Sequence, residues 1–217
     1  MIESVARYGR ASALATGLLM AVATVFLLAF FAIEGQRVLE GGADTWVPLG
    51  RTNDALIGLS FLAAVPLAAY LHVGWLTRTP SLSAPLLFVG IAGMIILGLV
   101  QLIYAANLIK AEVHSPVAMV GHVCLGLWLI GVNAGRAHGA LSGSVRWVGV
   151  AAGVGLLGIA LSIALLGSAT SNPQAAMSNP IAVGAGFLGI LGTAILYPIW
   201  ALALWRRLSI ANSGTST

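Results

Sequence analysis

Six apolar stretches, none with a charged side chain in its interior, govern what this chain can fold into. They run Ala11–Ile33, Ala55–Thr77, Leu86–Ile109, Val117–Gly135, Trp147–Gly167 and Ile181–Trp205. An uncharged apolar run of about 18 residues or more is long enough to cross a bilayer as a helix. Little sequence is left between the runs, so the expected fold is all-α: a single transmembrane domain, residues 1–217, built as a bundle of six helices. Composition agrees, with 59% apolar and only 7% charged residues, against roughly 45–50% and 25% in soluble domains.

The few charges carry the orientation. With the N-terminus cytoplasmic, the inner loops hold seven cations: Arg7, Arg10, Arg78, Arg136, Arg146, Arg206 and Arg207. The outer side holds three, Arg37, Arg51 and Lys110, together with Glu34, Glu40, Asp44, Asp54 and Glu112. Short loops rich in Lys and Arg stay on the cytoplasmic side. Six spans then return the C-terminus to the cytoplasm. The first run is too long for a signal h-region of roughly 7–15 residues and has no A-x-A site after it, so it reads as a retained anchor. The net charge of +4 does not mark a nucleic-acid surface, because the cations follow the loops and form no patch. The lone Cys124 lies within the fourth run and excludes an intrachain disulfide.

Local signals divide the runs. Asn53-Asp54 is a candidate N-cap for the second span. Pro66 predicts a kink in its middle. The segment Ser168–Pro180, with two Ser-Asn-Pro triplets, predicts a break between the last two spans. Small residues at Ala182, Gly186, Gly189 and Thr193, and the pairs Gly149/Gly153 and Gly131/Gly135, predict close helix packing within the chain. Trp46, Trp128, Trp147, Trp200 and Trp205 read as interfacial anchors.

Nothing assembles a nucleophile with a base, and H-E-x-x-H is absent, so the reading is non-enzymatic. Haem is disfavoured by depth: His72 falls roughly 27 Å below the outer start of its span, His122 near the outer start of its own. His138 lies in a glycine-rich loop. Two candidate sets remain, the second of them toward the outer side. Neutral polar residues Gln101, Tyr104, His122 and Asn133 suit a small ligand or a permeation path. His114, His122, Glu34, Asp54 and Glu112 offer imidazoles and carboxylates that suit a metal ion or a redox subunit. We expect His122 to hydrogen-bond across to Gln101 or Tyr104 and to line an outward-facing pocket. Glu34 or Asp54 in that pocket would favour metal, and their absence a neutral ligand.

The final third carries a resemblance. Arg146-Trp147-Val148-Gly149 opens a glycine-rich span, a Pro-containing break follows, and Leu196-Tyr197-Pro198-Ile199-Trp200-Ala201-Leu202 precedes Arg206-Arg207. This pattern resembles a bacterial family of six-span inner-membrane proteins catalogued as domain of unknown function 4386. The resemblance covers chiefly spans four to six and implies a bacterial inner-membrane address and no reaction. The leading expectation is a protein that packs against lipid, a small apolar ligand, or a partner subunit or second copy of itself. A small permease and a metal-binding redox subunit are the alternatives.

Overall fold

The computed structural model describes residues 2–41, 46–76, 80–134, 143–166 and 179–213. Its helices are α1 (Ile2–Ile33), α2 (Gly35–Gly41), α3 (Pro48–Ala63), α4 (Val65–Leu76), α5 (Pro80–Ala105), α6 (Ala111–Ala134), α7 (Gly143–Leu166), α8 (Pro180–Ile190) and α9 (Tyr197–Ser213). A π-helical segment, Leu191–Leu196, joins α8 to α9. Among the described residues there is no strand, and six helical stretches are long and apolar enough to cross a membrane. Asp44, Arg78, Arg136, His138 and Gly135 lie outside the described residues.

The spans form a closed ring in sequence order. α1 packs on α3 and α4, α3 on α5, α5 on α6, α6 on α7, α7 on α8 and the π segment, and α9 returns to α1. Close approach in the second half rests on missing side chains. A Cβ on Gly126 would stand 2.9 Å from the carbonyl oxygen of Gly153, and one on Gly153 would stand 2.8 Å from that of Gly126. Without a hydrophobic drive between helices in lipid, such backbone contact supplies the packing. The small face of the last span is real: Ala182, Gly189 and Thr193 are buried and Gly186 half-buried.

Several helix ends depart from expectation. α3 begins at Pro48, not after Asn53-Asp54, and both residues lie inside the helix. Proline at the first helical position has its φ preset and loses no needed donor. The cap comes from elsewhere: Glu34 Oε2, just beyond α1, accepts from Leu49 N at 2.9 Å and Gly50 N at 3.2 Å. A carboxylate there also meets the positive end of the helix dipole.

Pro66 does interrupt the second span, where α3 gives way to α4. The freed groups are satisfied by Ser12 of α1. Its hydroxyl donates to the Ala63 carbonyl and accepts from Leu67 N at 3.0 Å, replacing the direct bond a straight helix would form. At the end of α5, Asn107 takes the left-handed conformation (φ 59°). Bonds from Asn107 N to Tyr104 O and from Leu108 N to Ile103 O close a Schellman cap.

Two arginines counted as loop charges also cap helices. Arg51 lies in the first turn of α3, is buried, and donates through Nη1 to the carbonyl of Tyr104 at the end of α5. Arg146 Nε donates to Asn133 O at 2.9 Å and its Nη2 to Ala134 O at 3.1 Å, at the end of α6. Each cation sits on a helix C-terminus, where the unpaired carbonyls and the dipole favour it.

The ring is filled differently at its two ends. In the half away from Glu34, Phe61, Trp128, Tyr197 and Trp200 are buried to 1% exposure or less and stack together. Trp128 and Trp200 are therefore core residues and not interfacial anchors. The Trp200 indole is held by Asn133 Oδ1, a polar partner that bilayer headgroups would otherwise have to supply. Trp147 is 73% exposed and faces out of the bundle.

Candidate functional site

In the half of the ring nearer Glu34 the helices line a half-open cavity of about 220 Å³ to which all six spans contribute side chains. Its walls are chiefly apolar: Met20, Leu27, Ile57, Ile159, Ile163 and Ile190. Its polar residues are Asn53, Gln101, His114, His122, Thr24 and Thr193, and none of the lining residues is a carboxylate, lysine or arginine. Counting 1.5 Å per residue from the helix starts, His122 lies about 16 Å deep and the aromatic cluster begins roughly 20 Å deep. That cluster is the floor.

Each polar group is positioned by its helix. His122 Nδ1 donates to the Ala118 carbonyl one turn back, at 2.7 Å. In the neutral imidazole this leaves Nε2 as an acceptor. The expected bond from His122 to Gln101 or Tyr104 is thus replaced by one within α6. His114, one turn from the start of α6, takes both partners instead. Its Nε2 meets Gln101 Oε1 at 3.2 Å, and its ring stacks on Tyr104 with centroids 4.3 Å apart. The short connection between α5 and α6 sets this register, putting the first turn of α6, not the third, level with Gln101.

Tyr104 is sandwiched at the mouth. The Arg51 guanidinium lies 4.0 Å from the ring centroid and His114 4.3 Å; two groups at that distance cannot share one face. Cation–π attraction adds to the carbonyl bond that Arg51 already makes. Arg51 Nη2 also approaches Asn107 Oδ1 at 3.4 Å.

Asn53 is the residue that sequence reading misplaced. Its side chain is 6% exposed, it lines the cavity, and its Oδ1 has no hydrogen-bond partner. A buried acceptor left unpaired costs roughly 1–3 kcal/mol. Thr16 Oγ1 and Tyr197 Oη are also buried without partners, but neither lines the cavity. The signal for Asn53 was present as an amide in the first turns of an otherwise apolar run. Its neighbour Asp54 and the usual capping preference disguised it.

The π segment contributes the far wall through Thr193 and Ala194. Widening the turn sends the Tyr197 N–H to Gly192 O and displaces other carbonyls from their usual donors. Thr24 Oγ1 of α1 reaches the Ala194 carbonyl at 2.7 Å, and Thr193 Oγ1 the Gly189 carbonyl at 2.8 Å. Thr24, a single hydroxyl in an apolar run, gave no sequence sign of this role.

The two sequence-derived sets separate. Gln101, Tyr104 and His122 gather at the cavity and its mouth. Asn133 does not: it lies at the opposite end, where Nδ2 donates to Leu129 O at 2.8 Å and Oδ1 accepts from Trp200. The metal set disperses as well. Among the described residues no three His, Cys, Asp or Glu side chains are grouped to hold an ion. Glu34 is a helix cap, Glu112 is exposed, and neither they nor Asp54 line the cavity. His114 is committed to Gln101 and Tyr104. His72, considered for haem, pairs through Nδ1 with Ser83 Oγ at 2.6 Å.

No match to this chain is found among protein-family models, curated proteins or solved structures. The site's own chemistry must carry the reading.

Proposed function

We propose that this membrane protein binds a small, uncharged, mostly apolar molecule in the cavity between its six spans. The observation that carries the reading is the cavity's composition: a lining drawn from every span and chiefly apolar, a few neutral polar groups, and one buried amide oxygen without a partner. Ligand sites are mostly apolar concavities with a few polar groups that fix orientation. A charged ligand would meet no counter-charge on these walls, and burying an unpaired ion is costly. The aromatic floor favours holding a molecule over passing it through. The function is non-enzymatic. The protein resides in a bacterial inner membrane with both termini cytoplasmic, a reading supported by the seven-to-three distribution of cations across alternate loops.

Thermal denaturation of the detergent-purified protein tests the binding. A ligand that binds only the folded state raises its stability in proportion to the logarithm of concentration over Kd. Neutral compounds of about ten heavy atoms should raise the unfolding temperature saturably. Ala23→Leu, which fills the cavity from α1, should fold and lose the shift. No saturable shift with any such compound would overturn the proposal.

A further inference from the structure

The hydrogen-bonding valences left open around the cavity, taken with its size, narrow the ligand class; this step rests on the binding function just proposed. Several polar side chains have capacity unspent. Asn53 Oδ1 is an acceptor without a partner. His122, with Nδ1 given to Ala118 O, offers Nε2 as an acceptor. Gln101 receives the His114 ring nitrogen on Oε1, so its amide nitrogen, with two hydrogens, remains a donor. Thr24 and Thr193 spend their hydroxyl hydrogens on backbone carbonyls. The Thr oxygens keep acceptor lone pairs, so the open set is rich in acceptors, with the Gln101 amide nitrogen as a donor.

That set selects among neutral functional groups. A ketone, ester or ether only accepts, and would turn its lone pairs toward Asn53 Oδ1 and His122 Nε2. A carboxylate does the same and adds a charge, while an ammonium has nothing to accept from Gln101 and no carboxylate on the walls. A hydroxyl is the smallest neutral group that donates and accepts at one atom. It can give its hydrogen to an acceptor and take one from the Gln101 amide. Volume bounds the remainder. An apolar cavity of about 150 Å³ holds benzene, so about 220 Å³ holds one ring with a short alkyl substituent.

We infer that the site is built for a neutral monocyclic alcohol, its hydroxyl among Asn53, Gln101 and His122 and its ring and alkyl part against Ile57, Ile159 and Ile163. A phenolic hydroxyl, the stronger donor, suits an acceptor-rich site best.

Three probes of nearly equal size decide it: 4-propylphenol, its methyl ether 4-propylanisole, and propylbenzene. Each is titrated into the purified full-length chain in one detergent, with the unfolding temperature and the heat of binding read at matched micellar concentration. The expected result is saturable binding of 4-propylphenol, with the ether and the hydrocarbon each about tenfold weaker, the scale of one net hydrogen bond. Asn53→Leu should bind all three and reduce the tenfold preference toward unity. Equal binding of the three probes by the native chain would overturn the alcohol assignment and leave the cavity's ligand-binding role standing. Retention of the full preference in Asn53→Leu would overturn the part given to Asn53. Failure of all three to bind would overturn both this inference and the function on which it rests. The probe series on the native chain decides the class even if the variant does not fold.

Discussion

Trp200 donates its indole N–H to the Oδ1 of Asn133 at 3.0 Å, joining the last span to the fourth inside the membrane-spanning core. Both side chains are buried to 1% exposure or less. Asn133 spends its remaining amide on Leu129 O, and its own backbone carbonyl receives Arg146. Asn133 thus ties α6, α7 and α9 through its side chain and its backbone carbonyl. Asn133→Leu should strand the indole donor and lower stability by about 1–3 kcal/mol. In a double-mutant cycle with Trp200→Phe, read by denaturation in detergent, the two losses should be less than additive. Strict additivity would mean the bond contributes nothing.

Gly189 and Gly184 sit five residues apart on α8 and predict opposite outcomes. A Cβ on Gly189 would lie 2.9 Å from Ile159 N and closer still to the Ile159 side chain, whereas one on Gly184 would meet nothing within 4 Å. Gly189→Leu should therefore cost about 1–3 kcal/mol, the range of overpacking, and more than truncating the 57%-exposed Leu188 to Ala. Gly184→Leu should be tolerated. Equal unfolding temperatures for the two leucine variants would place the Gly189 face against lipid.

Ser12 bridges the kink between α3 and α4. Ser12→Ala should leave Leu67 N–H and the Ala63 carbonyl without their bridging hydroxyl, at a cost of about 1–3 kcal/mol. Cysteine at the same position, a weaker donor and acceptor, should fall between. A Ser12→Ala chain as stable as the parent would show that the kink's backbone groups find other partners.

Glu34 caps a helix on another part of the chain, which makes its loss readable. Glu34→Ala should remove the acceptor for Leu49 N and Gly50 N and cost about 0.5–2 kcal/mol. Amide exchange should quicken at those two positions. Unchanged exchange there would overturn the capping role.

Loop charge predicts topology independently of the bundle. A cytoplasm-active fluorescent reporter after Thr217 should give signal, and so should a periplasm-active phosphatase inserted within Ser171–Ser178, residues outside the described structure. A dark C-terminal fusion on well-inserted protein would reverse the orientation.

By itself, the sequence determined the six helices, because charge-free runs of this length have no other stable state in lipid, where backbone groups must pair within the segment. It also marked the break at Pro66, the small face of the last span, and Gln101, Tyr104 and His122 as polar residues toward the Glu34 end. Tertiary structure alone decided which polar groups meet. Hydropathy fixes how deep a residue lies but not which way it turns about its helix axis or how neighbouring helices are offset. A shift of two turns in the register of α6 against α5 gives Gln101 to His114 and leaves His122 to its own backbone. The opposite fates of Asn53 and Asn133 follow from the same cause: one amide turns toward a space the ring leaves open, the other toward an indole that fills it. Glu34 likewise appeared free as a carboxylate in a sequence, and became a cap only when the end of α1 met the start of α3.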